Sequence, residues 1–138
     1  MRYVNWKKTY EIGIKEIDEQ HKKIFEIVNE FFVELFSETY ENESSNILMI
    51  LEKLKDYCKF HFDFETNMYS KDIITEYFSK EYVLIEKIDK ILISKNKHIN
   101  IVSLYSFAEY LRQWVVRHVL LLNDTKFKET LKNELISN

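Results

Sequence analysis

Four side chains that can bind a metal ion fall on otherwise apolar helix faces. Within "IGIKEIDEQHKKIFEIVNEF", residues 12–31, His21 lies three residues before Ile24 and shares its apolar stripe. His61 and Glu65 are four residues apart and therefore lie one above the other on a second stripe, and His118 lies on a third. Three predicted helices thus each direct a histidine inward, and one of them adds a carboxylate.

Three imidazoles and one carboxylate are the donor set that a divalent metal ion binds between the helices of a bundle. Burying Glu65 without a partner would be costly, so its position favours such a site. Iron, zinc and manganese all accept these donors. Two other interpretations stay open, because a single inward histidine is commonly a hydrogen-bonded core residue, and the four groups together can also form a polar network or a purely structural metal site.

The elements that must position these side chains are four helices. The chain has no proline and one glycine, Gly13, and its apolar residues recur at spacings of three and four in four blocks. With Asp18 as the N-cap of the first helix, the predicted helices A to D span about Asp18–Ser37, Asn46–Tyr69, Asp72–Ser94 and Ile101–Asn123.

Helices of this length joined by short polar segments predict an all-α, antiparallel up-down-up-down four-helix bundle. The first 16 residues are predicted to form an irregular arm that packs Tyr3, Trp6 and Tyr10 against the bundle, and the tail is predicted to add a short helix. At 138 residues, the chain is expected to form a single domain, residues 1–138.

Composition excludes several classes of function. The formal charge is −3, with both signs mixed along the chain, so neither nucleic acid nor a membrane surface is an expected partner. No run of residues is apolar enough for a membrane span or a secretory signal, which predicts a cytoplasmic protein. Cys58 lacks an internal disulfide partner and is predicted to be a small buried core residue.

Three segments, in the same order, make the sequence similar to the hemerythrin family. "NWKKTYEIGIKEIDEQHKKIFEIVNEF" resembles the family's W…G-I…I-D-x-Q-H signature, "HFDFETNM" its H-F-x-x-E…M segment, and "WVVRH" its W-x-x-x-H segment. The resemblance implies a bundle that holds two irons through five histidines and two bridging carboxylates and binds O2 reversibly. It assigns His21 and His61 to one iron, Glu65 to a bridge and His118 to the other iron.

The sequence departs from the family on its last two helices. The family's second bridging aspartate comes five residues after the histidine of helix D; here that residue is Asn123, and Asp124 comes sixth, so Asp124 is a ligand only if helix D ends or unwinds there. The family's H-x-x-x-H of helix C is missing, and Phe78 and Tyr82 align with it. Tyr82 and Glu81 are candidate replacement ligands.

With two of the three histidines of the O2-binding iron missing, a site for one ion is favoured over a site for two. One divalent ion is neutralised by the two carboxylates of Glu65 and Asp124, whereas two ions would leave excess positive charge in the core. The resulting hypothesis is a non-heme metal protein, binding iron or else zinc or manganese, that binds or senses O2 or a related small molecule. Alternatives are a non-heme iron oxidase or peroxidase and a degenerate bundle that acts as an interaction module. Enzymatic activity is the less favoured interpretation. The sequence leaves the oligomeric state open.

Overall fold

A computed structural model describes residues 3–37, 44–94 and 101–122, together with Glu129. Within these ranges, a short 3-10 helix, Lys8–Tyr10, is followed by five α-helices. These helices are α1, Lys15–Leu35; α2, Ser44–Met68; α3, Lys71–Tyr77; α4, Tyr82–Ile93; and α5, Ile101–Leu122. The tail predicted to form a short helix lies outside the described residues apart from Glu129.

The four long helices pack as a bundle around one apolar core, and the predicted fold class is confirmed. Helix α1 packs against α2 and α5, and α4 also packs against both α2 and α5, so the four helices close into a ring. Helices α1, α2 and α5 begin and end within three residues of the predicted boundaries, wherever those boundaries fall on described residues. Among the described residues, none of the helices has the length and apolarity that crossing a membrane requires.

The predicted helix C is wrong as a single element, because the chain turns between α3 and α4 at residues 78–81. The Glu81 N–H donates to the Phe78 carbonyl at 3.1 Å, which is the i+3 spacing of a tight turn rather than the i+4 spacing of an α-helix. Phe78 is buried there and stacks on Tyr69, with ring centroids 5.5 Å apart. Glu81 is buried by the same turn, whereas Tyr82, the next residue, is 42% exposed.

The N-terminal arm packs on the bundle as predicted. Asn29 of α1 holds Val4 through both backbone groups: its Oδ1 accepts from the Val4 N–H at 2.9 Å, and its Nδ2 donates to the Val4 carbonyl at 2.8 Å. The Trp6 ring meets Tyr10 and Phe25 edge to face, with centroids 5.5 and 5.2 Å away. The arm thereby packs aromatic rings against α1.

The predicted N-cap role of Asp18 is wrong. Helix α1 begins three residues earlier, at Lys15, and Asp18 lies buried in its first turn. The carboxylate instead reaches back to the arm and accepts the N–H groups of Ile12, at 2.9 Å, and Gly13, at 3.1 Å. Gly13 has φ +87°, a conformation that other residues rarely adopt, so Asp18 and Gly13 together shape the entry into α1.

Because Asp18 satisfies two backbone donors with a charged acceptor, we expect Asp18→Ala to lower the free energy of unfolding by about 2–3 kcal/mol. Chemical denaturation measures this change. The matched control is Glu19→Ala, which removes the exposed carboxylate one residue away and should change the stability by less than about 0.5 kcal/mol. Equal effects of the two substitutions would show that the Asp18 hydrogen bonds add no stability.

Cys58 lies fully buried in the core, as predicted, and burial raises the pKa of its thiol. A buried, protonated thiol is a poor nucleophile. We expect iodoacetamide to leave Cys58 unmodified in the native protein over hours and to alkylate it within minutes in denaturant. Intact-mass spectrometry measures the modification, and rapid alkylation of the folded chain would contradict the prediction.

Candidate metal centre

Three helices bring four of the sequence-predicted site residues together inside the bundle. Helix α1 supplies His21, α2 supplies His61 and Glu65, and α5 supplies His118. All four side chains are at most 2% exposed. Each contributes one potential ligand atom to a group in which every such atom lies within 4.8 Å of the others.

The inner atoms of the cluster are spaced as the donors of a metal ion are. The Nε2 atom of His61 lies 2.8 Å from Oε1 of Glu65 and 3.1 Å from Nε2 of His118, and Nε2 of His118 lies 3.4 Å from the same Glu65 oxygen. A tetrahedral ion with ligand distances near 2.0–2.1 Å holds its donors roughly 3.3 Å apart. Only small side-chain movements would therefore bring these three atoms around one ion.

Oxygen atoms outside the cluster contact the outer nitrogens of two of the histidines. Oε1 of Gln20 is hydrogen-bonded to Nδ1 of His61 at 2.7 Å, and Oε2 of Glu81 lies at ion-pair distance, 2.8 Å, from Nδ1 of His118. An oxygen atom close to Nδ1 favours a proton on that nitrogen and leaves the lone pair of Nε2 directed toward the cluster. His61 and His118 thus both face the cluster through Nε2.

His21 makes the strongest case that the cluster accommodates a metal ion. Both of its ring nitrogens are buried, and neither meets a hydrogen-bond partner among the described residues. Its ring lies edge-on to those of His61 and His118, with centroids 4.8 and 4.9 Å away. A buried imidazole with two unsatisfied nitrogens costs free energy, and a cation within the cluster would satisfy one of them.

The charges of the cluster also suit a cation. Burial lowers the pKa of His21 well below its ordinary value, with a further contribution from the other two histidines, so its imidazole is neutral. Burial opposes ionisation of Glu65, but His118 and His61 outweigh it and hold the pKa of Glu65 below its usual range. Burial likewise opposes protonation of His118, yet the carboxylates of Glu81 and Glu65 raise its pKa to about 10. Without an ion, His118 therefore carries the positive charge that balances Glu65.

The three candidates for the missing helix C histidines occupy different positions. Phe78 is buried beside the cluster, with its ring centroid 6.2 Å from that of His118, and fills space there. Tyr82 is turned outward and packs edge-on against Phe62. Glu81 reaches His118 but contacts its outer nitrogen, Nδ1, rather than the inner atoms of the cluster.

Asp124, the predicted second carboxylate, lies outside the described residues. Gln20 is a site residue that the sequence analysis did not single out. The signal was present, because Gln20 follows the buried Ile17 by three residues and precedes the buried Ile24 by four, which places it on the inner face of α1.

Comparison with known proteins shows similarity to bacteriohemerythrins. The chain is 28% identical over 119 residues to a bacteriohemerythrin of Clostridium acetobutylicum, which is 83% of this chain and 92% of that protein. It is also 34% identical over 68 residues to a bacteriohemerythrin of Pseudomonas aeruginosa, covering 49% of this chain and 42% of that protein. No family model and no solved structure matches the sequence. The chain is thus similar to the first of these proteins over most of both chains, and the helical bundle with its histidine-glutamate cluster agrees with this similarity.

Proposed function

We propose that this hemerythrin-like protein binds one iron ion through His21, His61, Glu65 and His118, and that it binds or senses O2 or a related small molecule there. The observation that carries the proposal is the convergence of four buried donors from three helices, one of which, His21, has no other hydrogen-bond partner among the described residues. The similarity to bacteriohemerythrins supports the choice of iron. Zinc and manganese suit the same donors, so the identity of the ion belongs to the test.

The protein's own groups would orient the donors and exclude water. Gln20 and Glu81 contact the outer nitrogens of His61 and His118, which directs their Nε2 atoms to the ion. Aromatic rings surround the cluster: the Trp114 ring stacks on that of His118, with centroids 5.2 Å apart, and the Phe62 ring lies 5.8 Å from that of His61. A bound ferrous ion would supply the affinity for O2, which no protein side chain provides by itself.

What fills the space next to α3 and α4 supports a site for one ion. The cavity between Glu65 and these helices measures about 10 Å³ and is lined by Phe62, Phe78 and Tyr82, among others. That is the volume of about one water-sized probe, which is small for a second ion with its ligands. The aromatic residues that align with the family's missing histidines therefore support a mononuclear centre.

Metal analysis of protein purified without air tests the proposal. We expect about one metal ion per chain, and an increase in the free energy of unfolding of about 2.7 kcal/mol when the free ion is at 100 times its dissociation constant. His21→Ala should abolish most of this stabilisation because it removes one of the donors. Plasma mass spectrometry and thermal melts with and without Fe²⁺ measure both effects.

The matched control is His98→Ala, which removes the chain's remaining histidine and should leave metal content unchanged. Two ions per chain would contradict the mononuclear site. A chain that binds no ion at all would instead support a hydrogen-bonded network of the same residues. Subsequent addition of O2, followed by visible absorption, tests the binding or sensing role of the iron-loaded protein.

Tyr82→Phe tests whether the hydroxyl of Tyr82, on α4, is a metal ligand or whether Tyr82 only packs on the bundle. Because Tyr82 is 42% exposed and packs on Phe62 through its ring, we expect removal of its hydroxyl to leave metal content and affinity within twofold of wild type. Isothermal titration with Fe²⁺ under nitrogen measures the affinity. A loss of bound metal in Tyr82→Phe would make the phenolate a ligand.

A further inference from the structure

We propose that Glu81 is a positioning residue of this centre, which holds His118 with Nε2 toward the ion and balances part of the ion's charge. The proposal rests on the function proposed above, since it takes His118 as a ligand. It assigns to Glu81 a role other than the ligand role that its sequence position suggests. The starting observation is the 2.8 Å contact between Oε2 of Glu81 and Nδ1 of His118.

The His118 ring is constrained from three directions. The Trp114 ring lies parallel to it, with 8° between their planes, and fixes the plane of the imidazole. On the inner side, Nε2 faces Glu65 and His61. Stacking alone would permit a half-turn of the imidazole about its Cβ–Cγ bond, which keeps the ring in the same plane but puts the carbons Cδ2 and Cε1 where Nδ1 and Nε2 now lie. The carboxylate of Glu81 favours the orientation in which Nδ1 points outward with its proton.

The surroundings of Glu81 show that its contact with His118 is selective. Glu81 is 7% exposed and lines, together with His118, a cleft of about 440 Å³ between the 78–81 turn and α5. The cationic side chains of Lys80 and Arg117 line the same cleft. Within the described residues, however, the ion pair that Glu81 forms is with His118. The turn between α3 and α4 thus places a buried carboxylate against a ring nitrogen rather than against an exposed cation.

The charge of Glu81 completes the electrostatic balance of the site. Glu65 supplies one negative charge inside the cluster, and Glu81 supplies a second directly behind His118. With three neutral imidazoles, these two carboxylates offset the two charges of a divalent ion in a buried environment. The negative charges of Glu65 and Glu81, both among the described residues, therefore match the charge of the ion without a contribution from Asp124.

The test uses Glu81→Gln, which keeps the shape of the side chain and removes its charge. Ion-free protein is titrated with Co²⁺ and followed by its visible absorption, which reports affinity and coordination geometry together. We expect the dissociation constant to rise by roughly 10–100-fold and the visible bands to shift, as is typical when an outer partner of a ligand histidine is lost. The control is Glu86→Gln, an exposed carboxylate on α4, which should titrate like wild type.

His118→Ala is titrated in parallel so that the two proposals can fail separately. If His118→Ala binds Co²⁺ like wild type, His118 is not a ligand and the proposed site is overturned. If His118→Ala loses binding while Glu81→Gln keeps the wild-type affinity and spectrum, only the role of Glu81 is overturned.

A measurement on the wild-type protein keeps the inference testable even if Glu81→Gln does not fold. In the Zn²⁺-loaded chain, long-range ¹H–¹⁵N correlation of the histidine rings distinguishes a coordinated nitrogen from a protonated one. We expect His118 to be coordinated through Nε2 and protonated at Nδ1. Coordination through Nδ1 would overturn the proposal.

Discussion

The burial of the Glu65 carboxylate is the constraint on which the rest of the site depends. A carboxylate that is 1% exposed in an apolar bundle is stable only if neighbouring groups supply positive charge or hydrogen bonds. Here His118, on the opposite helix, supplies the positive charge when no ion is bound, and the Nε2 atoms of His118 and of His61, on the same helix, lie within 3.4 Å of Oε1 of Glu65. These polar contacts connect α2 to α5. They also specify which side chains meet, which apolar packing alone would not do.

The two irregular parts of the fold differ in how they relate to this buried cluster. The arm is fastened to the start of α1 by Asp18, which lies one turn before His21 on the same helix. The turn between α3 and α4 buries Phe78 and Glu81 against His118, and it interrupts what would otherwise be a continuous helix. Of the two, only the turn contacts a residue of the cluster directly.

The histidines and the glutamate of α1, α2 and α5 match the segments that resemble the hemerythrin family, whereas the third predicted helix has other residues where the family has two histidines. An aromatic ring fills space there, and a carboxylate contacts a neighbouring histidine from outside. A bundle tolerates such substitutions on one helix because each helix contributes its own inward-facing side chains to the centre. These differences are the reason why we propose a centre for one ion rather than two.

The sequence by itself determined the helical class, the bundle, the buried faces and the four residues of the cluster, because helical periodicity alone decides which side chains share a face. Gln20 was also readable from that periodicity. The roles of Asp18 and Glu81 and the turn at residues 78–81 were decided only by the tertiary structure. Asp18 contacts the backbone of the arm, and Glu81 contacts a side chain 37 positions later, so neither contact leaves a local pattern. No glycine or proline marks the turn; its buried residues are held by partners on α5 and at the end of α2, which only the assembled bundle brings near.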